Sequence, residues 1–233
     1  MVERRMAQAA IIIPAFNEAS RIGKVLRAVL QCKLASEVVV VCDGCTDSTA
    51  AIATGIAGVK VVVLPTNQGK GAAMAAGAAA TTAEVVAFVD ADLDGLRGEH
   101  VDAIIEPVLA RRCEMCVGLF RGGRIWSDAA HRITPYLSGQ RAVRRDLLKQ
   151  VPYLAELRLG AEMALTQAAR RRGWRVLRVS LAGVSNCHKE TKYGIVRGTA
   201  ARAKMYVEIG QAMVRSHPKR PKAHRSPFTR WRA

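Results

Sequence analysis

The five apolar residues Val85 to Val89 run without a break into Asp90-Ala91-Asp92-Leu93-Asp94, and this junction limits the fold more tightly than anything else in the chain. An apolar run of this length with no polar relief reads as a strand buried on both faces, the kind found in parallel sheets covered by helices. In such open sheets ligands bind beyond the carboxyl ends of the strands. Side chains two apart on an extended segment share a face, so Asp90 and Asp92 would converge on one hard cation, magnesium or manganese, and Asp94 would lie on that face too. Taken alone, three acids after a strand are more simply a solvated turn that caps the next helix. The rest of the chain argues otherwise.

The same alternation of apolar run and polar cluster recurs upstream. Ile11 to Ile13 reads as a strand closed by Pro14-Ala15-Phe16-Asn17-Glu18, followed by a helix on Ile22, Val25, Leu26, Val29 and Leu30 that Ser20 would cap. Glu37 to Val41 is a second strand, ending in the turn Cys42-Asp43-Gly44-Cys45-Thr46-Asp47 with a helix from Ser48. Val59 to Leu64 is a third, ending in Asn67-Gln68-Gly69-Lys70-Gly71 and a small-residue helix that would pack closely on the sheet. Strand and helix alternating at this spacing imply right-handed crossovers and a mainly parallel α/β sheet. Every polar cluster then gathers on one edge. No Gly-x-Gly-x-x-Gly follows the first strand, and the Gly-Lys-Gly turn lacks the remaining residues of a P-loop.

Charge is distributed unevenly over the 233 residues: the net +17 comes from 8 Lys and Arg against 9 acids in 1–94, 18 against 9 in 95–196, and 10 against 1 in 197–233. The motif-bearing half is nearly neutral, so the basic excess belongs to whatever the second half and tail face. Met1 to Ala10 does not read as a signal peptide, nothing approaches a membrane-spanning stretch, and a cytoplasmic protein is expected. Cys42-x-x-Cys45 and Cys113-x-x-Cys116 are too far apart for a compact zinc ribbon, and reduced, mostly buried thiols are expected instead.

Together, Pro14-Ala15-Phe16-Asn17-Glu18, Asp43-Gly44-x-x-Asp47, Asn67-x-Gly69-Lys70-Gly71 and Asp90-x-Asp92 stand in the order and spacing of family 2 glycosyltransferases of the GT-A fold. The chain resembles the soluble branch that holds polyprenyl-phosphate and phosphoglycerate sugar transferases, over residues 11 to about 195. The resemblance implies one GT-A domain over 1–195, with a nucleotide half (1–94) and an acceptor half (95–195). It implies a nucleoside diphosphate sugar contacted by Pro14, Ala15, Asn17, Glu18, Asp43, Asn67, Gly69, Lys70, Asp90 and Ala91, and Mg2+ or Mn2+ held by Asp90, Asp92 and His188. Cys42 and Cys45 depart from the family pattern, which often has aspartate and serine there.

Downstream, Val101 to Leu109 reads as a helix, and Met115 to Phe120 and Val176 to Leu181 as strands. Ser138, Gly139 and Arg141 match the family's turn against donor sugar and acceptor, with Arg141 suited to an acceptor phosphate and a helix expected after Val143. Glu162, opening a helix after Gly160, resembles the family's acidic element beside the acceptor hydroxyl and is the expected general base, with Asp94 in reserve. From Val196 an amphipathic helix leads to a basic tail with Phe228 and Trp231, a composition suited to an anionic lipid surface. The resemblance implies metal-dependent sugar transfer to a hydroxyl or phosphate of a small-molecule or lipid-linked acceptor, with inversion as the family's default and retention the alternative known in its phosphoglycerate-using relatives. The rivals are a sugar-phosphate nucleotidyltransferase, which would want an arginine-bearing glycine loop after strand one, and a nucleic-acid binding module, which the neutral first half and the 5% aromatic content disfavour.

Overall fold

The computed structural model describes residues 9–121, 139–151, 153–158 and 160–186. Its strands form where apolar residues alternate between two covered faces. Strands β1 (Ala9–Ala15), β2 (Glu37–Asp43), β3 (Val59–Leu64) and β4 (Val85–Phe88) pair in parallel in the order β3-β2-β1-β4. A two-residue strand β5 (Leu93–Asp94) follows, then β6 (Met115–Arg121), β7 (Arg141–Arg144), β8 (Val176–Ala182) and β9 (Ser185–Asn186). β7 lies antiparallel between β4 and β6, and β8 runs parallel to β6, which completes a seven-stranded sheet in which only β7 is reversed.

Helices α1 (Ile22–Val29), α2 (Thr49–Thr54) and α4 (Gly98–Leu109) cover one face, against Ile11, Ile13, Val40 and Ala87. Helices α3 (Lys70–Ala79) and α5 (Ala161–Arg172) cover the other, against Ile12, Val41, Phe88 and Met115. The alternation of Ile11, Ile12 and Ile13 between the two cores is the period of a strand made visible. α3 is built from alanine and glycine because it lies almost on the sheet: a Cβ at Gly77 would stand 2.3 Å from the Ile12 methyl.

Three expectations change. The apolar run does not continue extended through Asp94, because the chain turns at Ala91-Asp92 before β5 pairs with β9. The helix expected after Val143 starts later and is of another kind: Arg141–Arg144 is a strand, and a 3-10 helix runs over Arg145–Gln150. Ladder pairing on both sides, with Ala142 and Val143 fully buried, overrides the local helical preference of that stretch. Ser20 does not cap α1, whose first N–H groups find the Glu18 carbonyl instead. The five described cysteines are unpaired and all but Cys45 are buried; burial pushes the Cys32 thiol up to about 11 and the Cys42 and Cys116 thiols up to about 12. Among the described residues no helix is long and apolar enough to cross a membrane. The expected helix and tail of 196–233 lie outside the described residues.

Candidate active site

The loops after β1, β2 and β3 are fastened to one another before any ligand is considered. Asn17, held at a positive φ of 54°, accepts the Thr46 N–H on its side-chain oxygen at 2.9 Å, and its amide lies 3.2 Å from the Thr46 hydroxyl. Asp47 accepts from the Ala19 N–H at 3.1 Å and from both the N–H and the hydroxyl of Thr49, whose oxygen in turn accepts the Glu18 N–H. Slight desolvation works against the Asp47 charge, but these donors outweigh it and hold the carboxyl below its usual range.

Asp43, at the end of β2, is 3% exposed and accepts the N–H groups of Gln68 and Gly69 at 2.7 and 2.8 Å. Its carboxylate therefore shapes the β3–α3 loop. Gly69 takes φ 103° with Arg158 against it, and the N–H groups of Lys70 and Gly71 donate to the carbonyls of Arg158 and Leu157 at 2.9 and 2.8 Å. These contacts occupy the first two N–H groups of α3 with protein carbonyls, and the side chain of Lys70 is left to carry that loop's chemistry. Asn67 is gripped by the Arg158 guanidinium, 2.6 Å from its side-chain oxygen.

Lys70 reaches across the cleft and joins the two halves of the chain. Its ammonium lies 2.5 Å from Asp90 Oδ1 and is also in contact with Glu162 Oε1, in the first turn of α5. Burial opposes the charge on Lys70, yet the two carboxylates more than offset it and its pKa is raised. Burial likewise opposes the charge on Asp90, and Lys70, Gln140 and Arg141 outweigh it and hold the carboxyl down. Gln140 donates to Asp90 Oδ2 at 2.8 Å. Arg141, expected to meet an acceptor phosphate, is instead 0% exposed; its Nη1 donates to the Glu162 carbonyl at 2.8 Å, and burial lowers its pKa to about 10. It enters the fold as a strut beneath α5, because β7 runs through the sheet interior.

The structure thus brings together Lys70, Asp90 and Glu162, with Asp92 two residues on and half-buried. Pro14 and Ala15 close β1 on the same edge, and Ala91 is buried. Asp94 stands apart: it is exposed and paired with Lys24 of α1 at 2.8 Å, because the turn at Ala91-Asp92 redirects it. Ser138 and His188 lie outside the described residues, and among those described no three His, Cys, Asp or Glu side chains converge on one point. Asp90 and Asp92 supply hard oxygen donors, which fit a cation such as Mg2+ or Mn2+ that fills its shell with water and phosphate oxygens. Sequence reasoning missed Gln140 and Arg158. A glutamine ahead of a short apolar strand carries no local signal, and Arg158 acts, through its carbonyl and its guanidinium, on a loop remote from it in sequence.

The family model described as "Glycosyl transferase family 2" matches residues 10–150. The chain is 38% identical over 99 residues to the 4,4'-diaponeurosporenoate glycosyltransferase of Staphylococcus aureus strain MRSA252, a stretch that is 41% of this chain and 26% of that protein. It therefore spans about a quarter of the length of the curated relatives it matches. Among solved structures it resembles glucosyl-3-phosphoglycerate synthase from Mycobacterium tuberculosis in complex with Mn2+, uridine diphosphate and glucosyl-3-phosphoglycerate, at 25% identity and TM-score 0.66, covering 88% of this chain and 80% of that one. A complex of the same enzyme with Mg2+ and uridine diphosphate aligns over the same shares at 24% identity and TM-score 0.65, a likeness of fold.

Proposed function

The chain belongs to glycosyl transferase family 2, and from that premise we propose that it moves a sugar from a uridine diphosphate sugar to an acceptor oxygen, with inversion and with Mg2+ or Mn2+ bound. The observation that carries this reading is the Lys70–Asp90–Glu162 cluster at the carboxyl edge of the sheet, where one cation ties a donor-side carboxylate to an acceptor-side one. The solved relative bound to Mn2+ and uridine diphosphate supports the choice of nucleotide and metal.

In the reaction proposed, Asp90 and Asp92 would hold the cation, with His188 as the further ligand expected from the sequence. The bound ion would offset negative charge on the departing diphosphate. Asn17, Glu18, Asp43, Asn67 and Gly69 form the wall of the nucleotide pocket, fixed by the loop bonds above. Glu162 takes the proton of the acceptor hydroxyl as its oxygen bonds to the anomeric carbon and the bond to the diphosphate oxygen breaks. Lys70 holds Glu162 at a fixed distance from Asp90. The acceptor is small or lipid-linked, and residues 215–233 hold the protein to anionic membrane, where the acceptor half would face a lipid-linked substrate. The domain boundary at 195 belongs to the same proposal.

A panel of UDP-, GDP- and ADP-sugars, each with and without Mn2+, tests this by thermal shift, since a ligand of the folded state raises its melting temperature. UDP-sugars with Mn2+ should give the largest shift. An equal shift from all three nucleotides, or none that depends on metal, would overturn the assignment.

A further inference from the structure

Two residues ahead of β7 press on the cleft without a part in the reaction above. β7 pairs antiparallel with β4, Phe88 opposite Arg141, so the chain before Arg141 runs alongside the chain after Phe88. That register brings Gly139 and Gln140 against Asp90. Gln140 is 1% exposed, and its amide donates to Asp90 Oδ2 at 2.8 Å. Lys70 holds the other oxygen at 2.5 Å. A Cβ on residue 139 would stand 2.3 and 2.6 Å from the two Asp90 oxygens, so glycine there leaves the carboxylate the space it occupies.

An aspartate at a strand end turns about two torsions, and a metal ligand that turns loses much of its affinity. Groups bonded to a ligand, rather than to the metal, supply the orientation. We infer that Gln140 is a positioning residue: it fixes Asp90 in the orientation that receives the divalent cation and the donor diphosphate, and Gly139 keeps that orientation open. The inference rests on the reading that Asp90 meets the cation. It differs from a merely structural role for a buried glutamine, which would affect stability and leave metal affinity alone.

The test is Mn2+ titration by calorimetry with UDP present, on the full chain, beside melting temperatures. Wild type comes first: no Mn2+ binding there would sink the functional reading itself. Given that binding, Gln140→Met keeps length and packing but has no N–H, and Gly139→Ala pushes the same carboxylate from below. Each should weaken Mn2+ binding about tenfold or more, the usual effect of losing a partner of a metal ligand. Their effects should combine to less than the product, because both act through one side chain. For Gln140→Met the acceptor KM at saturating donor and Mn2+ should stay at the wild-type value. If Gln140→Met does not fold, Gln140→Leu, which likewise lacks a side-chain donor and adds no charge, takes its place and should weaken Mn2+ as much. Wild-type Mn2+ affinity in the folded glutamine variants would overturn the inference.

Discussion

Lys70 sits between two acids, and the balance of charge around it sets what each neighbour can do. Asp90 and Glu162 supply two negative charges and Lys70 and Arg141 two positive ones, so this interior group is near neutral. Lys70→Met would leave both carboxylates facing each other with no cation between them. With Lys70 only a quarter exposed, a loss of about 2–3 kcal/mol in urea unfolding is expected, below the full buried-pair figure because water reaches the site. The pH dependence follows from the directions of the shifts. Asp90 has a folded pKa below its unfolded value of about 3.9, so its contribution is present above that pH and is lost as pH falls through the folded pKa. Lys70 is raised, so its contribution holds below about pH 10.4 and fades as pH rises further. Asp90→Asn should therefore lower stability at pH 7 and converge on wild type in acid. Glu162→Gln keeps shape and removes the base. Turnover should fall about a hundredfold or more while donor affinity holds, and undiminished turnover would remove Glu162 from the chemistry. Lys70, Asp90 and Glu162 were each legible as chemistry in the sequence; that one ammonium joins them was not, since the three lie far apart along the chain.

At the scale of elements, the loops do the fastening and the glycines permit it. Asp47 ties the β1–α1 turn to the start of α2 through three donors, the Ala19 N–H and the N–H and hydroxyl of Thr49. Its depressed pKa means that this contribution is present above about pH 4 and disappears as pH falls through the folded pKa. Unfolding curves of Asp47→Asn and wild type should be separated at pH 7 and should draw together in acid as the carboxyl protonates; a constant gap would show that the carboxylate charge is not what matters. Gly71 is a stricter case. A Cβ there would lie 2.1 Å from the Leu154 carbonyl and 2.5 Å from that of Leu157, both backbone atoms that cannot swing aside. Gly71→Ala should cost about 2 kcal/mol or more and weaken donor binding, because the start of α3 carries Lys70. A wild-type melting temperature for Gly71→Ala would mean that the 154–158 segment yields freely.

Over the whole molecule, charge is segregated. The first 94 residues are nearly balanced and the last 37 hold 10 basic residues against 1 acid. A chain truncated before Arg215 should lose binding to anionic vesicles, each Lys or Arg near such a surface being worth about 1 kcal/mol, and should keep its donor binding. Equal vesicle binding by both forms would remove the tail from the membrane proposal. By itself the sequence determined the strands, the helices that alternate with them, and which polar cluster follows which strand, because period-two and period-3.6 patterns and turn residues are local properties. It also placed the carboxylate edge, since parallel strands put their ends together. Only the tertiary structure decided that Arg141–Arg144 is a reversed strand inside the sheet, that Gln140 meets Asp90, and that Asp94 turns away to Lys24. Strand neighbours and register are settled by pairing between segments remote in sequence, and a local pattern of residues holds no record of which partner wins.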